Sequence, residues 1–156
     1  RIIWGTALAI GVLAYRLLIH PLLLDPTPIA QQSSASSGQW QDFDRRHVEE
    51  LIGQGRTVFI DFTADWCWTC KVNERVVLAD SDVQKAFAEG NVALIKADWT
   101  HRQPEITQML HAFGRPGVPL YVIFAAGRAD EPIVLPEVIT PDLVLNALRQ
   151  ARSPSL

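Results

Sequence analysis

Cysteine is nearly absent: the 156 residues hold only two, at positions 67 and 70. A fold stapled by several disulfides is therefore excluded, because such a framework needs more cysteines spread along the chain. A structural zinc site takes about four ligands, often in two pairs, and no second cysteine pair exists to complete one. His101 and His111 are distant in sequence and form no compact ligand pair. A surplus of one charge is also lacking: 14 Lys and Arg stand against 17 Asp and Glu, mixed along the chain, for a net charge of −3. Without a basic run, nothing points to nucleic acid as a partner. No internal repeat is visible. What remains is a chain that is 48% hydrophobic, rich enough for a packed core and long enough for one domain with an appendage.

The chain opens on Arg1 rather than Met, so a processed product or a piece of something longer is expected. Residues 2–24, IIWGTALAIGVLAYRLLIHPLLL, are uncharged as far as Tyr15 and then meet Arg16, His20 and Pro21. A helix over this stretch would cross about 30 Å of hydrocarbon, with Arg16 snorkelling and Trp4 and Tyr15 at the interfaces. Residues 1–24 are therefore expected to form a transmembrane helix. A signal peptide fits less well, since the basic start is Arg1 alone and no clean cleavage site follows. A buried core helix is the third reading. Residues 25–39, DPTPIAQQSSASSGQ, have a linker's composition and would reach about 45 Å extended. A tether of that length would let a folded domain swing between partners.

From residue 40 to 156 the pattern is that of a globular domain. Asp42–Ile52 is expected to be helical, stopping at Gly53 and Gly55. Thr57–Thr63 and Val92–Ala97 read as buried strands, Leu120–Phe124 as a third, and Pro132–Leu135 as a short edge strand limited by its proline. Helices are expected from the cysteine motif to Leu78 and over Ser81–Glu89, Pro104–Phe113 and Thr140–Ala151, the last capped by Thr140 with Pro141 at its first position. Strand–helix–strand units imply parallel pairing and the final β–turn–β an antiparallel edge. The expected fold class is α/β: a central mixed sheet flanked by helices, with the N-terminal transmembrane helix appended.

Both cysteines lie in Trp66-Cys67-Trp68-Thr69-Cys70-Lys71, directly after the first buried strand. A helix beginning there presents free N–H groups and a partial positive charge to the first thiol, which favours the thiolate. Cys67 is thus the expected nucleophile, and Cys70, on the same helical face, resolves the mixed disulfide. Half a zinc site and two chance buried cysteines are the competing readings; haem attachment would need His at position 71, where Lys stands. Asp61 interrupts an apolar strand six residues before Cys67. Buried beneath the motif, its carboxyl would rise in pKa and exchange a proton with Cys70. Otherwise it is a satisfied structural acid. Glu74, one turn beyond Cys70, would join Asp61 in tuning the thiols or else be a solvated helix residue. Two acids near a thiolate oppose its formation and limit how far its pKa falls. Trp66 would shield the cysteines from water unless it is core, and Val118-Pro119 at the start of a strand is a candidate cis bond.

The run Phe62-Thr63-Ala64-Asp65-Trp66-Cys67-Trp68-Thr69-Cys70-Lys71, with Glu74 after it, resembles the C-terminal thioredoxin-like domain of the DsbD family of thiol:disulfide interchange proteins. A similar domain occurs in the related suppressor-of-copper-sensitivity membrane reductases. The resemblance extends from about Trp40 to Ala151 and takes in Asp82-Val83, Gly114-Arg115-Pro116-Gly117-Val118-Pro119 and Leu135-Pro136-Glu137. It implies a thioredoxin-like fold, a redox-active Cys67–Cys70 pair with no other cofactor and no metal, and acidic tuning by Asp61 and Glu74. It also implies a cis-Pro119 loop against the cysteines, where Trp66, Trp68, Val118 and Pro119 would receive the substrate chain. The family's domain faces the bacterial periplasm and follows a multi-helix inner-membrane domain whose electrons it passes on. Residues 2–24 would then be the last membrane helix. The expected partners are that electron-donor domain and disulfide-bearing periplasmic proteins or domains. Two departures are plain: one membrane helix at most stands here, and Trp68-Thr69 replaces the Gly-Pro of thioredoxin. The expected function is membrane-anchored protein-disulfide reduction. The alternatives are a stand-alone anchored thioredoxin for cytochrome c maturation and a copper- or zinc-handling CxxC module.

Overall fold

The computed structural model of the protein describes residues 39–153. The expected membrane helix over 1–24 and residues 25–38 of the expected linker lie outside the described residues. Among the described residues no helix is long and apolar enough to cross a membrane.

The elements run β1 (Gln41–Asp42), α1 (Arg45–Gly53), β2 (Val58–Thr63), α2 (Trp68–Asn73), a π-helical turn (Glu74–Leu78), α3 (Ser81–Glu89), β3 (Ala93–Asp98), α4 (Pro104–Ala112), β4 (Leu120–Ala125), β5 (Arg128–Leu135) and α5 (Pro141–Arg152). The sheet order is β1-β3-β2-β4-β5. β3 lies parallel to both β1 and β2, whereas β4 is antiparallel to β2 and to β5.

β2 is central and all six of its residues are buried. Successive side chains alternate between the two faces. Val58, Ile60 and Phe62 join α1 and α4 in one core, with Val48, Ile95, Leu110 and Val122. Phe59 joins α3 and α5 in the other, with Phe87, Leu94, Tyr121, Val144 and Leu148. Asp61 and Thr63 follow Phe59 on that second face, so the pleat itself carries a carboxylate into an apolar layer.

Two elements differ from the sequence expectation. Residues 41–42 pair with Ile95 and Lys96 instead of opening a helix. The helix starts three residues later than expected because Asp44 is its cap, accepting from the His47 N–H at 2.8 Å. β5 runs eight residues rather than four. It tolerates Pro132 because it pairs only with β4 and because the ladder slips between Ile123 and Ala125. Gly127, at φ +72°, forms the reversal that lets β5 begin at Arg128.

Candidate active site

β2 delivers the chain to the sheet's end, and Cys67 caps α2 there. Its backbone is extended, and its Sγ accepts from the Cys70 N–H at 3.2 Å. Cys67 and Cys70 are joined as a disulfide. The two sulfurs are not equivalent: Cys67 is 7% exposed and Cys70 is fully buried. Only the first offers an edge to an incoming group. Both pack with Ala64 and against Val118, whose bond to Pro119 is cis.

The surrounding aromatics divide by role. Trp68 projects into solvent at 79% exposure. Trp66 is 55% exposed and lies against the ring of Trp99, 6.0 Å between centroids, so it sits at the rim rather than in the core. Its indole N–H donates to Thr100 O at 3.3 Å, and the Asp65 N–H donates to Thr100 Oγ1 at 2.8 Å. The Arg102 guanidinium lies over the Trp99 ring, 5.5 Å from its centroid.

Asp61 is 1% exposed and stands in register with Lys96 on β3 and Tyr121 on β4. Its Oδ1 is buried and makes no hydrogen bond among the described residues. Burial first, and the neighbouring Glu74 charge second, push its carboxyl up to about 7, with Lys96 and Lys71 opposing. Glu74 opens the π-helical turn, in which the Ala79 N–H donates to Glu74 O five residues back. Its Oε1 accepts from Thr63 Oγ1 at 2.7 Å and lies 3.3 Å from Lys96 Nζ. Its Oε2 lies 3.5 Å from Lys71 Nζ, which also reaches Asp65 at 3.4 Å. A cavity of about 210 Å³ runs between Asp61, Glu74, Lys96, Gln84 and Trp40. The buried carboxyl therefore borders a space of mixed polar and apolar lining, roomy enough for water, beside a network of two lysines and a glutamate.

Every site residue expected from the sequence lies at this end of the molecule or directly beneath it. Sequence reasoning missed Lys96, Lys71, Trp99 and Asn73. Lys96 had a signal of the same kind as Asp61, one charge inside the apolar run VALIKAD, but its meaning depends on the β2–β3 register. Among the described residues, no three His, Cys, Asp or Glu side chains group in a way that could hold a metal.

A thioredoxin-like family profile matches residues 39–126. The chain belongs to the thioredoxin-like family. The DsbD resemblance read from its motif has counterparts among curated relatives. A thiol:disulfide interchange protein DsbD of Photorhabdus laumondii is 32% identical over 68% of this chain and 18% of its own length. That of Ralstonia nicotianae is 34% identical over 80% of this chain and 22% of its own length. The chain thus spans about a fifth of the curated relatives it matches. Among solved structures, the reduced C-terminal domain of Neisseria meningitidis DsbD aligns over 72% of this chain and 100% of that one. Its TM-score is 0.56 at 22% identity, a likeness of fold. A thioredoxin from Halobacterium salinarum aligns with a TM-score of 0.56 over 78% of this chain and 97% of its own.

Proposed function

We propose that this chain is a protein-disulfide reductase in which Cys67 attacks a partner's disulfide and Cys70 resolves the product. The observation that carries the reading is the asymmetry of the pair at the head of α2: Cys67 keeps a small exposed edge and Cys70 is sealed. In the reduced chain, the Cys67 thiolate bonds to one partner sulfur and expels the other as a thiolate. Asp61, in its carboxylate form, then takes the Cys70 proton. The Cys70 thiolate attacks Cys67 Sγ, so the Cys67–Cys70 disulfide forms and the partner leaves as a dithiol. Two electrons have moved to the partner, and a second dithiol must return them. Val118, Pro119, Trp66 and Trp68 would receive the partner chain, and Glu74 would set the charge around Asp61.

The DsbD likeness supports a fuller reading: an anchor in residues 1–24, a tether over 25–39, and a domain facing the periplasm from the bacterial inner membrane. The returning dithiol would then belong to a membrane donor domain. Substrate trapping tests the exchange step. With Cys70→Ser, partners should accumulate on Cys67 as mixed disulfides that dithiothreitol releases. Captured proteins bearing a DsbD-like domain support the relay, and cytochrome-maturation proteins the anchored-thioredoxin alternative. Trapping that persists when Cys67 is replaced by Ser as well would overturn the assignment of the nucleophile.

A further inference from the structure

The loop Gly114–Pro119 brings Val118 and the cis bond to the disulfide, and its two sides are held differently. At Gly117 it rests on Trp99: a Cβ there would come within 3.3 Å of that ring. Trp99 in turn lies against Trp66, the neighbour of Cys67. At Arg115 the loop is held by Glu137, whose Oε1 lies 2.9 Å from Arg115 Nη1. Glu137 belongs to the segment between β5 and α5, and its backbone is not free. Its carbonyl accepts from Asn73 Nδ2 at 2.8 Å. Asn73 is buried one turn past Cys70, and the same Nδ2 donates to the Tyr121 hydroxyl at 2.9 Å. Each side of the loop is therefore tied to the segment that carries one cysteine.

We propose that Glu137 and Arg115 are positioning residues, forming a clasp that sets the gap between the cysteine-bearing helix and the cis-Pro loop, and with it the fit of a partner's polypeptide. The clasp touches neither sulfur. Glu137 joins its two neighbours by different groups, backbone carbonyl to Asn73 and carboxylate to Arg115, so the side-chain half can be cut while the Asn73 bond stays. Polypeptide substrates must lie in the gap, whereas a small disulfide need reach only the Cys67 edge. The clasp accordingly acts on recognition of protein disulfides and leaves the intrinsic reactivity of Cys67 alone. The ion pair is surface-exposed, which limits its effect to a few-fold.

The inference rests on the exchange reading, and the experiment separates the two. The full chain, Arg115→Gln, Glu137→Gln and the charge-swapped Arg115→Glu/Glu137→Arg are assayed on insulin with dithiothreitol as reductant and, after reduction and removal of the dithiothreitol, on 5,5′-dithiobis(2-nitrobenzoate) in a single turnover. Each single variant should raise KM for insulin about three- to fivefold with kcat held, while the rate with the small disulfide stays put. The swap should restore the insulin KM. An unchanged insulin KM overturns the clasp, as does a parallel loss on both substrates or a swap that fails to rescue. A parent chain that reduces neither disulfide overturns the exchange reading itself, and the clasp with it.

Discussion

Burial first and Glu74 second push the Asp61 carboxyl up to about 7, so its titration falls in the neutral range. An acid whose pKa is higher folded than unfolded takes up a proton on folding. Its cost to the fold is absent at low pH, grows as pH rises from about 4 and is complete above about 7. The displacement from 3.8 to about 7 corresponds to about 4 kcal/mol. Asp61→Asn should therefore unfold in urea at a higher midpoint than the parent at about pH 8, and the two should converge near about pH 4. A gain that is the same at both pH values would mean that the carboxyl is not perturbed. The same substitution should remove a limb near pH 7 from the resolution step measured by stopped flow. Residues such as this were legible because their signal is local. Two cysteines in one helical turn, and a lone acid in VFIDFT, need no knowledge of what packs on them.

Elements add what a linear reading omits. Lys96 and Tyr121 become neighbours of Asp61 only through the pairing of β3 and β4 on either side of β2. Glu74 ends α2 and opens the π-helical turn, one turn beyond Cys70, where its carboxylate meets Thr63 and Lys96. The electrostatics around Asp61 thus come from separate pieces of structure, and they push in opposite directions. Glu74→Gln removes a like charge and should lower the pH at which Asp61 titrates. Lys96→Met removes an opposing charge and should raise it. Carboxyl-region infrared or NMR titration reads both, and shifts of the same sign would show that the network works otherwise. The short β1 was not legible for a related reason. Two residues carry no periodicity, and Asp42 and Asp44 are equally good caps until β3 claims one of them by pairing with it. The clasp was hidden likewise, since Arg115 and Glu137 stand 22 residues apart in sequence.

On the scale of the whole molecule, the order of strands and helices from α1 onward followed from apolar runs and punctuation, because a buried strand with two covered faces must read as a continuous apolar run. The parallel units and the antiparallel β4–β5 edge followed too, but the place of β2 between β3 and β4 and the registers did not, because they are settled by side chains far apart in the chain. The proposed anchor makes its own prediction: the full chain should sediment with membranes and resist a carbonate wash, and removal of residues 1–24 should release it. Recovery of the full chain in the soluble fraction would overturn the anchor and leave the exchange reading intact. The ends of the sheet carry a further consequence. β1 is two residues long, and the outer edge of β5 presents exposed Asp130 and Glu131, then a proline without an N–H, beside a slipped register. Neither margin offers another chain a template for strand addition. Under the proposed exchange, contacts with partner chains would then fall to the end of the molecule where the sulfur is and not to the margins of the sheet.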